Sequence, residues 1–246
     1  MSRAHFLRGA IFTALGAFCF AGGVLAEPLA TPTGTKRPDP KRFEKEIAKF
    51  DAQFEEKAVK GGIVFTGSSS IRLWKVEESF PGLPVLNRGF GGSVANDLIV
   101  YADKVVFRYE PKVLVVYTGS NDINAKLTVE EAFKDYTSFL NLVHEKLPKT
   151  RVIVNPVKVA ESRLKQIPDV KKLNGLLEGW AKENSWVRWV DSTGYLIDEN
   201  GKPKAEYYRK DKLHLNDAGY AKWNAIIEPV LKEEWERASA SVGSGQ

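Results

Sequence analysis

The sequence predicts a three-layer α/β/α sandwich built on a parallel sheet of about five strands. Short uninterrupted apolar runs, such as Ile63-Val64-Phe65 and Val113-Leu114-Val115-Val116, read as strands buried on both faces. Stretches with apolar residues at helical spacing alternate with those runs, the pattern of a parallel sheet with helical crossovers. Of the 246 residues, 43% are hydrophobic and 27% charged, the balance of a packed globular protein with ample chain for one core.

The elements follow in order. Phe43, Ile47, Phe50 and Phe54 recur at helical spacing, and Gly61-Gly62 ends that helix. Residues 63–66 form the first strand, 71–80 suit a helix, and 84–87 suit a second strand. Residues 93–109 read as one helix with Ser93 as N-cap. Residues 112–118 are the strongest strand in the chain. Thr128 caps a long helix with Glu131 as its capping-box partner and Phe133, Tyr136, Leu140 and Val143 on its apolar face. Strand 151–155, helix 169–182 and strand 187–190 come next. Asn216 caps a last helix bearing Tyr220, Trp223, Ile226, Ile227 and Leu231.

The flanks are of another kind. Arg3 and Arg8 precede an uncharged apolar run, residues 9–26, that ends Val24-Leu25-Ala26. This order reads as a secretory signal peptide cut after Ala26, and hence as a periplasmic or secreted protein with no membrane span after cleavage. An uncleaved anchor is the other reading, at a length near the minimum for a span. Residues 27–40, with Pro28, Pro32, Pro38 and Pro40, read as an exposed linker. The domain then occupies 41–238, and 239–246 form a small, polar, flexible tail.

Composition narrows the chemistry. The one cysteine, Cys19, lies in the signal segment, so the mature chain has no disulfide, no thiolate nucleophile and no cysteine-ligated metal. Two histidines remain, His144 and His214, too few for a histidine-rich metal site, and no cofactor is expected. The net charge of +5 is small and scattered, which gives no argument for nucleic acid.

In open α/β sheets ligands bind beyond the carboxyl ends of the strands. Gly67-Ser68-Ser69-Ser70 follows the first strand, Asn87-Arg88-Gly89-Phe90-Gly91-Gly92 the second, and Gly119-Ser120-Asn121-Asp122 the third. Asp211-Lys212-Leu213-His214 precedes the last helix. Ester hydrolysis needs a hydroxyl nucleophile, a base, a group that orients the base, and donors aimed at an oxyanion. These segments offer one of each. The turn after residue 67 lacks the second glycine of a nucleophile elbow, and Val94 stands where a dinucleotide fingerprint needs its third glycine.

Together the four segments resemble the SGNH/GDSL hydrolase family, nearest its platelet-activating-factor acetylhydrolase-like and lysophospholipase-like esterase branch. The resemblance runs from Gly61 to about Val230 with the motifs in the family's order. It implies a flavodoxin-like sheet, Ser69 as nucleophile, His214 as base and Asp211 as its partner. It also implies an oxyanion hole from the Ser69 and Gly92 N–H groups and the Asn121 amide. The aspartate that precedes the nucleophile in the family's name-giving motif is Ser68 here. The implied substrate is a small-molecule or carbohydrate ester with a short acyl group. A lysophospholipase, a thioesterase, and a binding module on the same scaffold without catalysis are the alternatives.

Other residues compete for roles. Asp191 follows a strand and is a second candidate to orient His214. Trp74, Tyr207, Tyr208 and Arg209 flank the site in sequence and are candidates for the substrate pocket, Trp74 suiting the core as well. His144, in the last turn of a long helix, reads as structural, and Lys165, Lys171 and Lys172 as a solvated face.

Overall fold

The computed structural model describes residues 34–240. The expected signal segment and the first half of the expected linker lie outside the described residues. Among the described residues, no helix is long and apolar enough to cross a membrane.

The chain runs α1 (Glu44–Glu56), β1 (Ile63–Gly67), α2 (Ser69–Arg72), α3 (Val76–Ser79) and β2 (Val85–Gly89). It continues through α4 (Ala95–Val100), α5 (Ala102–Val105), β3 (Val113–Tyr117), α6 (Ser120–Asn124) and α7 (Val129–Lys146). Last come β4 (Arg151–Val154), α8 (Ile167–Glu183), β5 (Val187–Trp189) and α9 (Asp217–Ala240). The strands pair in parallel in the order β2-β1-β3-β4-β5. The chain leaves β1 in one direction and returns to β3 on its other side, so the sheet has its switch point between β1 and β3. A ligand crevice belongs there.

Strand alternation divides the core. Val64, Leu114, Val116, Val152 and Val154 face a core shared with α1, α4, α5, α7 and α8. Ile63, Phe65, Val113, Val115, Tyr117 and Ile153 face a second core with Trp74 and Phe80, from the turns after α2 and α3, and Trp223 and Ile227 from α9. Side chains of period two supply both faces, which is why the strands read as unbroken apolar runs. At the exit of β1, Gly67 has φ +134°, and a Cβ there would stand 1.9 Å from the Tyr117 carbonyl oxygen. A side chain at this position would push β1 away from β3.

Several boundaries differ from expectation. The helix expected over 71–80 is two short ones, because the Asn87 amide takes the Ile71 and Trp74 carbonyls at 2.7 and 2.8 Å. The helix expected over 93–109 breaks at Tyr101, whose hydroxyl donates to the Pro40 carbonyl and whose ring packs edge-on against Phe90. Its N-cap is Val94 rather than Ser93, and the Asp97 carboxylate accepts the Val94 N–H at 2.8 Å. By contrast Thr128 and Glu131 form the expected reciprocal capping pair of α7, and Asn216 accepts the Gly219 N–H at 3.0 Å to cap α9. Helix α1 ends at Glu56, ahead of the two glycines expected to stop it.

The described part of the expected linker is docked. Arg37 makes a two-pronged ion pair with Asp135 on α7 at 2.8 and 3.1 Å, and the Thr35 N–H donates to Glu131. Planar guanidinium–carboxylate pairing of this kind holds a segment that composition alone marks as loose. At the other end, α9 carries helix through Ala240, two residues beyond the expected domain boundary.

Candidate active site

Ser69 opens α2 directly after β1, and Asn121 stands in α6 directly after β3. Gly67 and Tyr117 are register partners, so these two turns leave the sheet side by side at its switch point. The loop ahead of α9 crosses above them. Ser69 Oγ lies 2.9 Å from His214 Nε2, and His214 Nδ1 lies 2.7 Å from Asp211 Oδ2. An ionised carboxylate can only accept, so Nδ1 carries the proton and Nε2 is left to accept from the serine hydroxyl. The other oxygen of Asp211 accepts the Leu213 and His214 N–H groups at 2.9 and 3.0 Å, closing the loop that presents the imidazole. Burial works to raise the Asp211 pKa, but its hydrogen bonds from His214 and Leu213 outweigh it and hold the carboxyl well below its usual range.

Asp191, the other candidate partner for His214, is engaged elsewhere. Its Oδ1 accepts from the Thr193 and Gly194 N–H groups and the Thr193 hydroxyl, closing the turn after β5.

The Asn121 side chain has an unambiguous orientation. Its Nδ2 donates to the Ser93 carbonyl at 3.0 Å, and its Oδ1 accepts from Arg163 Nη2 at 3.1 Å. One amide N–H remains available. The bond to Ser93 also brings the preceding residue, Gly92, beside Asn121. Gly92 stands exposed at φ +86°, with open space where a Cβ would be. The N–H of Ser69, in the first turn of α2, has no acceptor within its own helix.

A small hollow joins these groups, lined by residues that include Ser69, Asn121, His214, Lys158 and Arg163, with an empty volume of about 200 Å³. Four sequence candidates for the pocket do not line it. Trp74 is buried in the aromatic core and donates its indole N–H to Asn224. Tyr207 packs edge-on against Tyr195. Tyr208 is buried with its hydroxyl on the Val159 carbonyl. Arg209 donates to the Leu215 carbonyl and, with Trp74, borders a different cavity. Proximity in sequence to His214 put them on the list, but the loop turns their side chains elsewhere. His144 stacks flat on Trp186, 4.3 Å between ring centroids, outside this hollow.

Lys158 and Arg163 were missed. Both belong to residues 155–166, the stretch after β4, and so also lie beyond a strand's carboxyl end. The signal was a lysine set between Val157 and Val159. Lys158 is buried, and its ammonium donates to the Leu213 carbonyl. Burial, reinforced by repulsion from Arg163, lowers its pKa to about 7 against the pull of Asp211. Asp122, beneath Asn121, is fully buried, and burial raises its carboxyl to about 7 although the Ala95 N–H donates to it.

Solved structures with this fold come from several organisms. A Streptococcus pneumonia protein described as a platelet activating factor is 24% identical, with a TM-score of 0.71 over 78% of this chain and 93% of that one. A GDSL-like lipase from Bacteroides thetaiotaomicron is 21% identical, with a TM-score of 0.65 over 79% of this chain and 98% of its own. A carbohydrate esterase family 3 protein from Talaromyces cellulolyticus is 18% identical, with a TM-score of 0.57 over 73% and 99%. No curated protein matches the sequence. The model of the GDSL-like lipase/acylhydrolase family matches residues 69–222, from the serine at the mouth of β1 into α9. The chain belongs to the GDSL-like lipase/acylhydrolase family, and it is a hydrolase acting on esters.

Proposed function

We propose that the protein is a serine esterase that works through Ser69, His214 and Asp211 and an acyl-enzyme. The continuous relay carries this reading: 2.9 Å from hydroxyl to imidazole, then 2.7 Å from imidazole to carboxylate. Ser69 Oγ attacks the ester carbonyl while His214 Nε2 takes its proton. The imidazolium, steadied by Asp211, then gives that proton to the departing alcohol. Water attacks the acyl-enzyme by the same route and frees Ser69. The oxyanion is met by the Ser69 and Gly92 N–H groups and the free Asn121 amide N–H.

The hollow favours a short acyl group. Within its 200 Å³, which includes open solvent, the enclosed cavity volume is only about 10 Å³, far below the roughly 300–1,000 Å³ of drug-sized ligand sites. Beside Tyr117 and Leu213 its lining carries the polar Ser120, Asn121, Lys158 and Arg163, which suits an acetyl ester of a hydroxylated compound such as a carbohydrate better than a long chain. The fold shared with a Talaromyces cellulolyticus carbohydrate esterase is compatible with this substrate. We also propose that residues 1–26 export the protein, so that the chain recovered from the periplasm of an expression host begins at Glu27.

An active-site fluorophosphonate tests the mechanism. Stoichiometric labelling of Ser69, with Ser69→Ala unlabelled and slower by at least roughly 10⁴-fold on a nitrophenyl acetate, is the expected result. A Ser69→Ala protein that hydrolyses at the wild-type rate refutes it. A panel of acyl chain lengths beside acetylated xylan reads the substrate, and a preference for long chains overturns the short-acyl assignment.

A further inference from the structure

The residues after β4 form a clasp between the two halves of the site. The Tyr208 hydroxyl bonds the Val159 carbonyl, the Ser162 N–H and hydroxyl both donate to the Lys212 carbonyl, and Lys212 pairs with Glu161. These bonds tie the clasp to the His214 loop. The Arg163 guanidinium ties it to the other half. Its Nη1 donates to the Ser120 carbonyl at 2.9 Å and the Ser120 hydroxyl at 2.7 Å, while Nη2 donates to Asn121 Oδ1 at 3.1 Å. The backbone departs from helical geometry at Arg163 itself, at φ −129° and ψ 32°, inside the turn Glu161–Gln166.

We infer that Arg163 is a positioning residue for the oxyanion hole, acting through the Asn121 amide. A guanidinium only donates, and a backbone carbonyl only accepts. Set between Arg163 and the Ser93 carbonyl, the amide has one satisfactory orientation, with its oxygen toward Arg163 and its remaining N–H free. The flipped amide would set its N–H groups against the Arg163 N–H on one side and its oxygen against the Ser93 carbonyl on the other. No carboxylate pairs with Arg163 among the described residues, so its charge is not neutralised at short range. A cation hydrogen-bonded to the amide oxygen draws electron density from the amide and makes its N–H a stronger donor. A preset donor needs no reorganisation as the oxyanion forms, so the benefit falls on turnover rather than on binding.

The inference rests on reading Asn121 as an oxyanion donor, and a double-mutant cycle separates the two. Wild type, Arg163→Ala, Asn121→Ala and the double variant are compared on a short-chain nitrophenyl ester, with melting temperatures measured alongside. Arg163→Ala is expected to lower kcat roughly 10- to 100-fold with KM within about twofold, less than the 10²–10³-fold cost of deleting an oxyanion donor outright. Because one residue works through the other, the double variant stays within about threefold of Asn121→Ala. Millimolar guanidinium restores part of the Arg163→Ala turnover and none in the double variant. Should Arg163→Ala fail to fold, Arg163→Lys and Arg163→Gln enter the same cycle. Losses that multiply, or an Arg163 variant with wild-type kcat, overturn the inference. A wild-type rate for Asn121→Ala instead removes the oxyanion reading beneath it, and the inference with it.

Discussion

Ser69 Oγ and His214 Nε2 stand 2.9 Å apart although 145 positions separate them in sequence. The contact depends on two independent placements. Gly67 lets β1 turn sharply against Tyr117, and the Asp211 turn folds the loop ahead of α9 so that the imidazole faces back over the sheet edge.

The second link of that relay makes a specific prediction. Asp211→Asn keeps an oxygen for the backbone N–H groups but can turn an amide N–H toward His214 Nδ1. The imidazole then carries its proton on Nε2 and cannot act as base. A fall in kcat of roughly 10²–10⁴-fold with little change in melting temperature is expected. The Asp211 side chain is 48% exposed, so water can partly take its place and the lower half of that range is favoured. Because the carboxyl stays ionised well below its usual range, Asp211 does not set the acid limb of the wild-type pH–rate profile. Steady-state kinetics from acid to neutral pH check both points.

Asp122 predicts a stability effect. Its folded pKa of about 7 lies above the unfolded value of 3.8. The folded state therefore holds an extra proton between those values, and wild-type stability falls as pH rises through that window. Asp122→Asn keeps an acceptor for the Ala95 N–H and loses this dependence. Relative to wild type it gains, by up to about 4 kcal/mol between pH 4 and pH 8. Urea unfolding at the two pH values measures the gain, and an equal difference at both contradicts it.

Lys158 predicts an effect in the opposite direction of pH. Its folded pKa is lowered to about 7 from 10.5, so the penalty for burying its charge is complete below pH 7 and is relieved as pH rises toward 10.5. Lys158→Met carries no such penalty. Its melting temperature relative to wild type should be higher at pH 6 than at pH 9.5, by several degrees. A constant offset between the two proteins, read by calorimetry, contradicts the lowered pKa and means that Lys158 stays ionised in the fold.

Much of this architecture is local information. Apolar runs at 63–66 and 112–118 mark strands because period-two burial on both faces leaves no polar position. Thr128 with Glu131 marks a helix start because the capping bonds close within one turn. Ser69, Asn121, Asp211 and His214 were legible because each lies at a strand exit or in a short loop with a chemistry of its own. Helix continuity was less legible. Whether residues 71–80 run on depended on Asn87, a neighbour in space that takes the carbonyls a helix would need.

Choices between chemically equivalent residues were settled by long-range packing. Asp191 and Asp211 carry the same side chain, yet one closes its own turn while the other meets His214. Tyr207, Tyr208 and Arg209 sit next to the loop and point away, while Lys158 and Arg163, about 50 residues earlier, point in. Residue type and spacing establish the elements and the reagents, because hydrogen bonding and apolar periodicity act over a few residues. Which side chains share one hollow follows from how separate loops cross above the sheet, and no local pattern encodes that crossing.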